Sequence, residues 1–139
     1  MHQHLVHRRQ RPVADRRGFG CADPDKFTQV FVNLVENGVR HGEGEVEVRV
    51  RALRPGDDPT LSDGVVVIVD DHGEGIPADL RRQVFTKFWK GGARGGSGLG
   101  LYIVGGLTKA HGGAVTIEDA PHGGARIIVT WPAAPSYAP

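Results

Sequence analysis

Gly95-Gly96-Ser97-Gly98-Leu99-Gly100-Leu101, followed at once by Tyr102-Ile103-Val104-Gly105-Gly106-Leu107, is the stretch on which the reading of this chain turns. Its glycines leave the backbone bare, so that successive N–H groups can face one anion. In the run that follows, Leu99, Tyr102, Ile103 and Leu107 are spaced as one buried stripe of a helix, predicted over about 98–111. A glycine-rich loop feeding a helix N-terminus can hold phosphate. Glycines ahead of a helix are as often a plain turn, so the weight falls on three other stretches.

The first precedes it by some sixty residues. Asp23-Pro24 pairs an N-cap acid with a first-turn proline. Phe27, Val30, Phe31, Leu34, Val35 and Val39 then recur at helical spacing, which predicts a helix over about 24–40. Asn33 and Asn37, four apart, share the flank of that apolar stripe. Arg40 and His41 close the helix near the same edge, and Gly42 and Gly44 end it. A helix asparagine is usually just solvated. Two beside a core stripe are a less ordinary choice, because asparagine is a mediocre helix former. An asparagine carbonyl oxygen from this pair is a neutral ligand of the kind magnesium takes, leaving room for water and phosphate oxygens.

The second stretch is Asp70-Asp71-His72-Gly73-Glu74-Gly75-Ile76-Pro77. It follows the aliphatic run Val65–Val69, read as a central strand buried on both sides. A carboxylate at a strand end suits the amino group of adenine and repels the carbonyl that guanine presents there. In isolation an Asp-Gly strand end is more often a turn. The third stretch is Phe85-Thr86-Lys87-Phe88-Trp89, with Phe85 read as core and Phe88 and Trp89 as anchors of a lid over 89–97. Lys90 and Arg94 lie in that lid and could reach phosphates, although surface charge is the commoner fate of such residues.

The remaining segments frame these motifs. Residues 45–53 alternate valine with charge and predict a strand with one buried face; 54–64 reads as a loop, and 79–85 as a short helix. Residues 114–117 and 126–131 read as paired strands joined through Pro121-His122-Gly123-Gly124. The order helix, two strands, short helix, helix, two strands predicts an α/β two-layer sandwich with helices on one face of a mixed sheet.

Composition sets outer bounds. The 139 residues, 39% hydrophobic and 24% charged with a net charge of +1, suit one globular domain. No apolar run is long enough to cross a bilayer, and no signal peptide is visible. Neither nucleic-acid binding nor membrane contact is expected. The lone Cys21 suits a reducing cytoplasm and reads as a packing residue. Residues 1–17 carry five arginines and one acid and are expected to be a mobile terminus or remnant segment. His2, His4 and His7 lack neighbours at metal-ligand spacing. The domain is expected over 18–132, with a disordered tail over 133–139.

Together these stretches resemble the catalytic and ATP-binding domain of two-component sensor histidine kinases. NLVENGVRHG is similar to that family's N box, DDHGEGIP to its first glycine box, VFTKFW to its F box and GGSGLGLYIV to its second glycine box; AHGG and GGARIIVTWP match the domain's usual close. The resemblance covers about residues 19–132, with four motifs in order. It implies a Bergerat-type fold, ATP with magnesium, Asn37 as metal ligand and Asn33 near the attacking end of the site. It implies Asp71 on the adenine amino group, with Gly73, Gly75 and Ile76 beside the base, Arg40 toward phosphate and His41 against the purine. Phe88, Lys90, Arg94, Gly96, Ser97, Gly98, Leu99, Gly100 and Leu101 would line the triphosphate side.

The resemblance further implies a histidine-bearing dimerisation hairpin as the phosphoacceptor, and a response regulator downstream. No histidine of this chain sits in that acceptor pattern, which marks an excised catalytic domain or a split subunit. Two positions depart from the family. Ala125 replaces a frequent threonine that helps hold adenine, and Gly38 replaces a commoner alanine. Two other readings stay open: an anti-sigma-factor serine kinase, in which a glutamate usually stands at the Asn33 position, and a nucleotide-binding module without catalysis.

Overall fold

The computed structural model describes residues 3–6, by backbone alone, and residues 20–41, 45–87, 89 and 99–134. The elements run β1 (Gln3–Val6), α1 (Pro24–His41), β2 (Val46–Ala52), β3 (Gly64–Asp71), two 3₁₀ turns (Ala78–Leu80 and Gln83–Phe85), α2 (Gly100–Ala110), β4 (Ala114–Asp119) and β5 (Ala125–Pro132). The strands form one sheet in the order β1-β2-β3-β5-β4. Both helices pack on the sheet and on each other.

Every strand pair is antiparallel, so the sheet is not mixed as the order of elements suggested. That strand, β3, lies between β2 and β5. Its alternate residues Val65, Val67 and Val69 join the core under the helices. On the other face, Val66 stands opposite Arg51 and Ile68 opposite Arg49. The alkyl stems of such arginines cover aliphatic surface, while the heads of Arg51 and Arg49 pair with Asp57 and Asp70. A run of valines is therefore compatible with an antiparallel strand whose outer face carries charge.

The core is made by alternation in the strands and by periodicity in the helices. Val46 and Val48 of β2, Ile127, Val129 and Trp131 of β5 and Phe27, Val30, Phe31 and Leu34 of α1 are all buried together. Phe27 meets Trp131 edge to face at 5.7 Å between ring centroids, and the Trp131 indole donates to the Ala22 carbonyl at 2.6 Å. Asp23 caps α1 as expected: its carboxylate accepts the Lys26 amide at 3.4 Å. The other carboxylate oxygen meets His111 Nε2 at 3.1 Å, joining the start of α1 to the end of α2. Cys21 is buried, and burial pushes its thiol up to about 11, in keeping with a packing role.

Several elements differ from expectation. Val39 is 44% exposed, and α1 instead turns Gly38 to the sheet, where a Cβ would lie 3.1 Å from the Val46 methyls. Tyr102 is likewise exposed; α2 instead buries Val104 and Thr108. In α1 a glycine carries the contact, and apolar spacing cannot register a residue without a side chain. The segment over 79–85 is two 3₁₀ turns separated by Arg81 and Arg82, not one helix. Part of the N-terminal segment, Gln3–Val6, pairs with β2 as an edge strand.

The 53–63 loop is held from within. Arg51 grips Asp57 through two hydrogen bonds of 2.7 and 2.9 Å. Buried Asp58 accepts from the Thr60 amide and hydroxyl and from the Thr130 hydroxyl of β5. No helix among the described residues is long and apolar enough to cross a membrane.

Candidate nucleotide site

The site gathers where α1 ends, β3 ends and α2 begins. Asn33 and Asn37 are half-buried, one turn apart on the flank of α1. The Asn33 amide nitrogen donates to the Gln29 carbonyl at 2.8 Å, which fixes the side chain and turns its Oδ1 toward α2. An ideal Cβ on Gly100 would lie 3.4 Å from that oxygen. The first turn of α2 therefore sits beside Asn33. Leu99 provides no side-chain cap to α2.

Asp71 closes β3 and is 6% exposed. Its Oδ1 accepts two backbone N–H groups, from Gly73 at 2.9 Å and from Ala125 at 3.0 Å. Among the described residues, Oδ2 forms no hydrogen bond and no cation pairs with the carboxylate. One oxygen is thus locked by the fold while the other stays open to a donor.

Glycines allow this approach. Gly73 lies against the His41 carbonyl, where a Cβ would collide. Gly75 (φ +77) lies by the Gly124 carbonyl. Gly124 (φ +86) lies against Asp71 itself, with an ideal Cβ only 2.5 Å from Oδ1. The end of α1, the first glycine box and the β4–β5 turn thereby pack on one carboxylate.

The surroundings follow the same plan. Ile76 and Leu101 are partly buried against the core. Arg81 ties the glycine-box loop to β4, donating to the Ile76 and Ile117 carbonyls at 2.9 and 3.4 Å and pairing with Asp119 at 2.8 Å. Arg40 is exposed and His41 half-buried at the end of α1. Phe85 and Trp89 pack against the core. Phe88, Lys90, Arg94, Gly96, Ser97 and Gly98 lie outside the described residues, as does the rest of the segment read as a lid.

Sequence reasoning missed the roles of Gly124, the Ala125 amide and Arg81. The first two had a signal in the Gly123-Gly124 pair, which was read only as a turn. Arg81 had none, because its partners are carbonyls and an acid remote in sequence.

Comparison with known proteins agrees with this geometry. A family model described as histidine kinase-, DNA gyrase B-, and HSP90-like ATPase matches residues 22–135. The sensor histidine kinase component HK1 of Mycobacterium tuberculosis is 37% identical over 118 residues, covering 82% of this chain and 65% of that protein. The sensor-type histidine kinase PrrB of Mycobacterium leprae is 39% identical over 99 residues, covering 70% of this chain. The chain spans only 21% of PrrB's length. Among solved structures, the mycobacterial sensor histidine kinase MprB superposes with a TM-score of 0.64 at 29% identity, covering 83% of this chain and 75% of that one. Full-length ShkA in complex with AMPPNP superposes at 0.62 and 30% identity, covering 84% of this chain and 23% of that one.

Proposed function

Because the chain belongs to the histidine kinase-, DNA gyrase B- and HSP90-like ATPase family, we propose that it is the ATP-binding catalytic domain of a sensor histidine kinase. In this reading it moves the γ-phosphoryl group of ATP to a histidine on a separate dimerisation hairpin, for relay to a response regulator. The observation that carries the proposal is the half-committed carboxylate of Asp71, with two backbone amides on Oδ1 and nothing on Oδ2 among the described residues. The AMPPNP held by the similar ShkA supports an adenine nucleotide as the ligand.

Asp71 Oδ2 accepts the adenine amino group, and the two amides on Oδ1 keep the carboxylate in its plane while it does so. Its strength as a base selector comes from burial, since an acceptor facing the guanine carbonyl would be left unpaired. His41 flanks the base, and Arg40 faces phosphate. The first turn of α2 supplies N–H groups to the phosphates. Asn33, beside that turn, positions the attacking end of the site.

Magnesium fits the donor set. The Asn37 amide is half-buried and makes no hydrogen bond among the described residues, so its oxygen is available to a hard cation. When bound, magnesium neutralises charge on the phosphates. The chain's own contribution is positioning, which dominates phosphoryl transfer.

The test is labelling with γ-labelled ATP. The chain alone is expected to stay unlabelled, and its parent's hairpin, when added, to acquire an acid-labile phosphate. Asn33→Ala is expected to slow transfer more than it weakens ATP binding. Acid-stable label on a serine-bearing partner supports the anti-sigma-factor kinase instead, and label on the chain alone overturns the assignment of a separate acceptor.

A further inference from the structure

The face of the sheet turned away from the helices carries a second cluster. Register pairs Val46 with Asp71 and Glu47 with Asp70. One step further, Glu45 falls opposite His72. Side chains alternate along a strand, so Glu45, Glu47 and His72 occupy the outer face while Asp71 turns inward to the helices. A carboxylate oxygen from each glutamate and a ring nitrogen of His72 lie within 4.8 Å of one another.

Two further observations point to a guest. The Nε2 of His72 is shut off from solvent and has no hydrogen-bond partner among the described residues. A buried ring nitrogen in that condition calls for a ligand. Beside it lies a recess of about 10 Å³, whose lining includes Glu47, Asp70, Asp71, His72 and His122 but not Glu45, of a size for one water or one bare cation. Asp70 is already engaged by Arg126, at 2.7 and 2.8 Å, and by Arg49 at 3.4 Å.

We propose that Glu45, Glu47 and His72 bind one divalent transition-metal ion of the zinc class. One imidazole with two carboxylates is a donor set for a borderline cation, with water completing a tetrahedron. An imidazole nitrogen is a poor ligand for magnesium, so the site is distinct in chemistry and in sheet face from the asparagine side of the nucleotide site. The ion would tie the start of β2 to the end of β3.

The test is a zinc titration against a colorimetric chelator, with the full chain carrying His2, His4 and His7 changed to Asn so that the terminal histidines do not compete. His72→Asn and Glu47→Gln are each expected to lower zinc affinity at least tenfold, and exposed Glu45→Gln by less. Zinc should also raise the thermal midpoint of the parent and not of His72→Asn, because only the folded chain offers the site; millimolar magnesium should not substitute. Glu45→Gln, at an exposed position, keeps the test valid should a more buried substitution prevent folding. Undiminished zinc binding in all three variants overturns the proposal, as does a parent that fails to bind zinc below millimolar concentration.

Discussion

At the scale of the residue, Asp71 shows how a common side chain becomes selective. A strand-ending aspartate in water accepts from any donor. Here two amides occupy one oxygen of a residue that is 6% exposed and leave the other to the ligand, so a ligand group that cannot donate to it loses a hydrogen bond it had in water. Asp71→Asn would place an amide where the carboxylate stands. If the NH₂ faces Gly73 and Ala125 it opposes two donors, and if it faces the ligand it opposes the adenine amino group. Competition binding should therefore show ATP weakened by about 2 kcal/mol or more and the preference over GTP reduced. Unchanged selectivity in a folded variant would place the base elsewhere.

At the scale of the element, the turn between β4 and β5 does more than reverse the chain. Gly123 and Gly124 both have positive φ, +92 and +86. Nothing lies within 4 Å of a Cβ built on Gly123, whereas one on Gly124 meets the Asp71 carboxylate and carbonyl. The two alanine substitutions thus separate backbone strain from collision. Gly123→Ala should cost about 1–2 kcal/mol for the left-handed conformation alone and leave nucleotide binding nearly intact. Gly124→Ala should cost more and weaken nucleotide binding as well, because Asp71 must move. Urea denaturation and titration with a fluorescent ATP analogue check both. Equal effects of the two substitutions would mean that the turn yields without disturbing Asp71.

At the scale of the whole molecule, acid stability rests on carboxylates held by hydrogen bonds within loops and across elements. The Arg51 guanidinium holds the Asp57 carboxyl down from 3.8 to about 2. Hydrogen bonds from Thr60 and Thr130 lower Asp58, and one from His111, ahead of the Lys26 amide, lowers Asp23. A carboxyl whose folded pKa lies below its unfolded one binds fewer protons when folded. Its stabilisation is complete above about pH 4 and drains away as pH falls toward 2. Asp57 is partly exposed, so solvent screening limits its share to about 1 kcal/mol. Urea midpoints of the parent and Asp57→Asn should differ at pH 6 and converge near pH 2. A constant gap across that range would show that the Arg51–Asp57 pair is not what stabilises the loop.

Local chemistry, legible in the sequence, determined α1 from its Asp23 cap and apolar period, β2 from its alternation, and the four boxes with their candidate residues Asn33, Asn37 and Asp71. Cap, period and motif act within a few residues of one another, so the linear order contains them. Tertiary structure alone decided the direction of the central strand, because an aliphatic β3 suits either sheet type until neighbouring arginines cover its outer face. It alone decided which face of α1 packs, because at Gly38 close approach replaces a side chain. It alone brought the Ala125 amide to Asp71 and His72 to Glu45 and Glu47. Those groups are joined by strand register, and register is settled only when the whole sheet is buried against its helices.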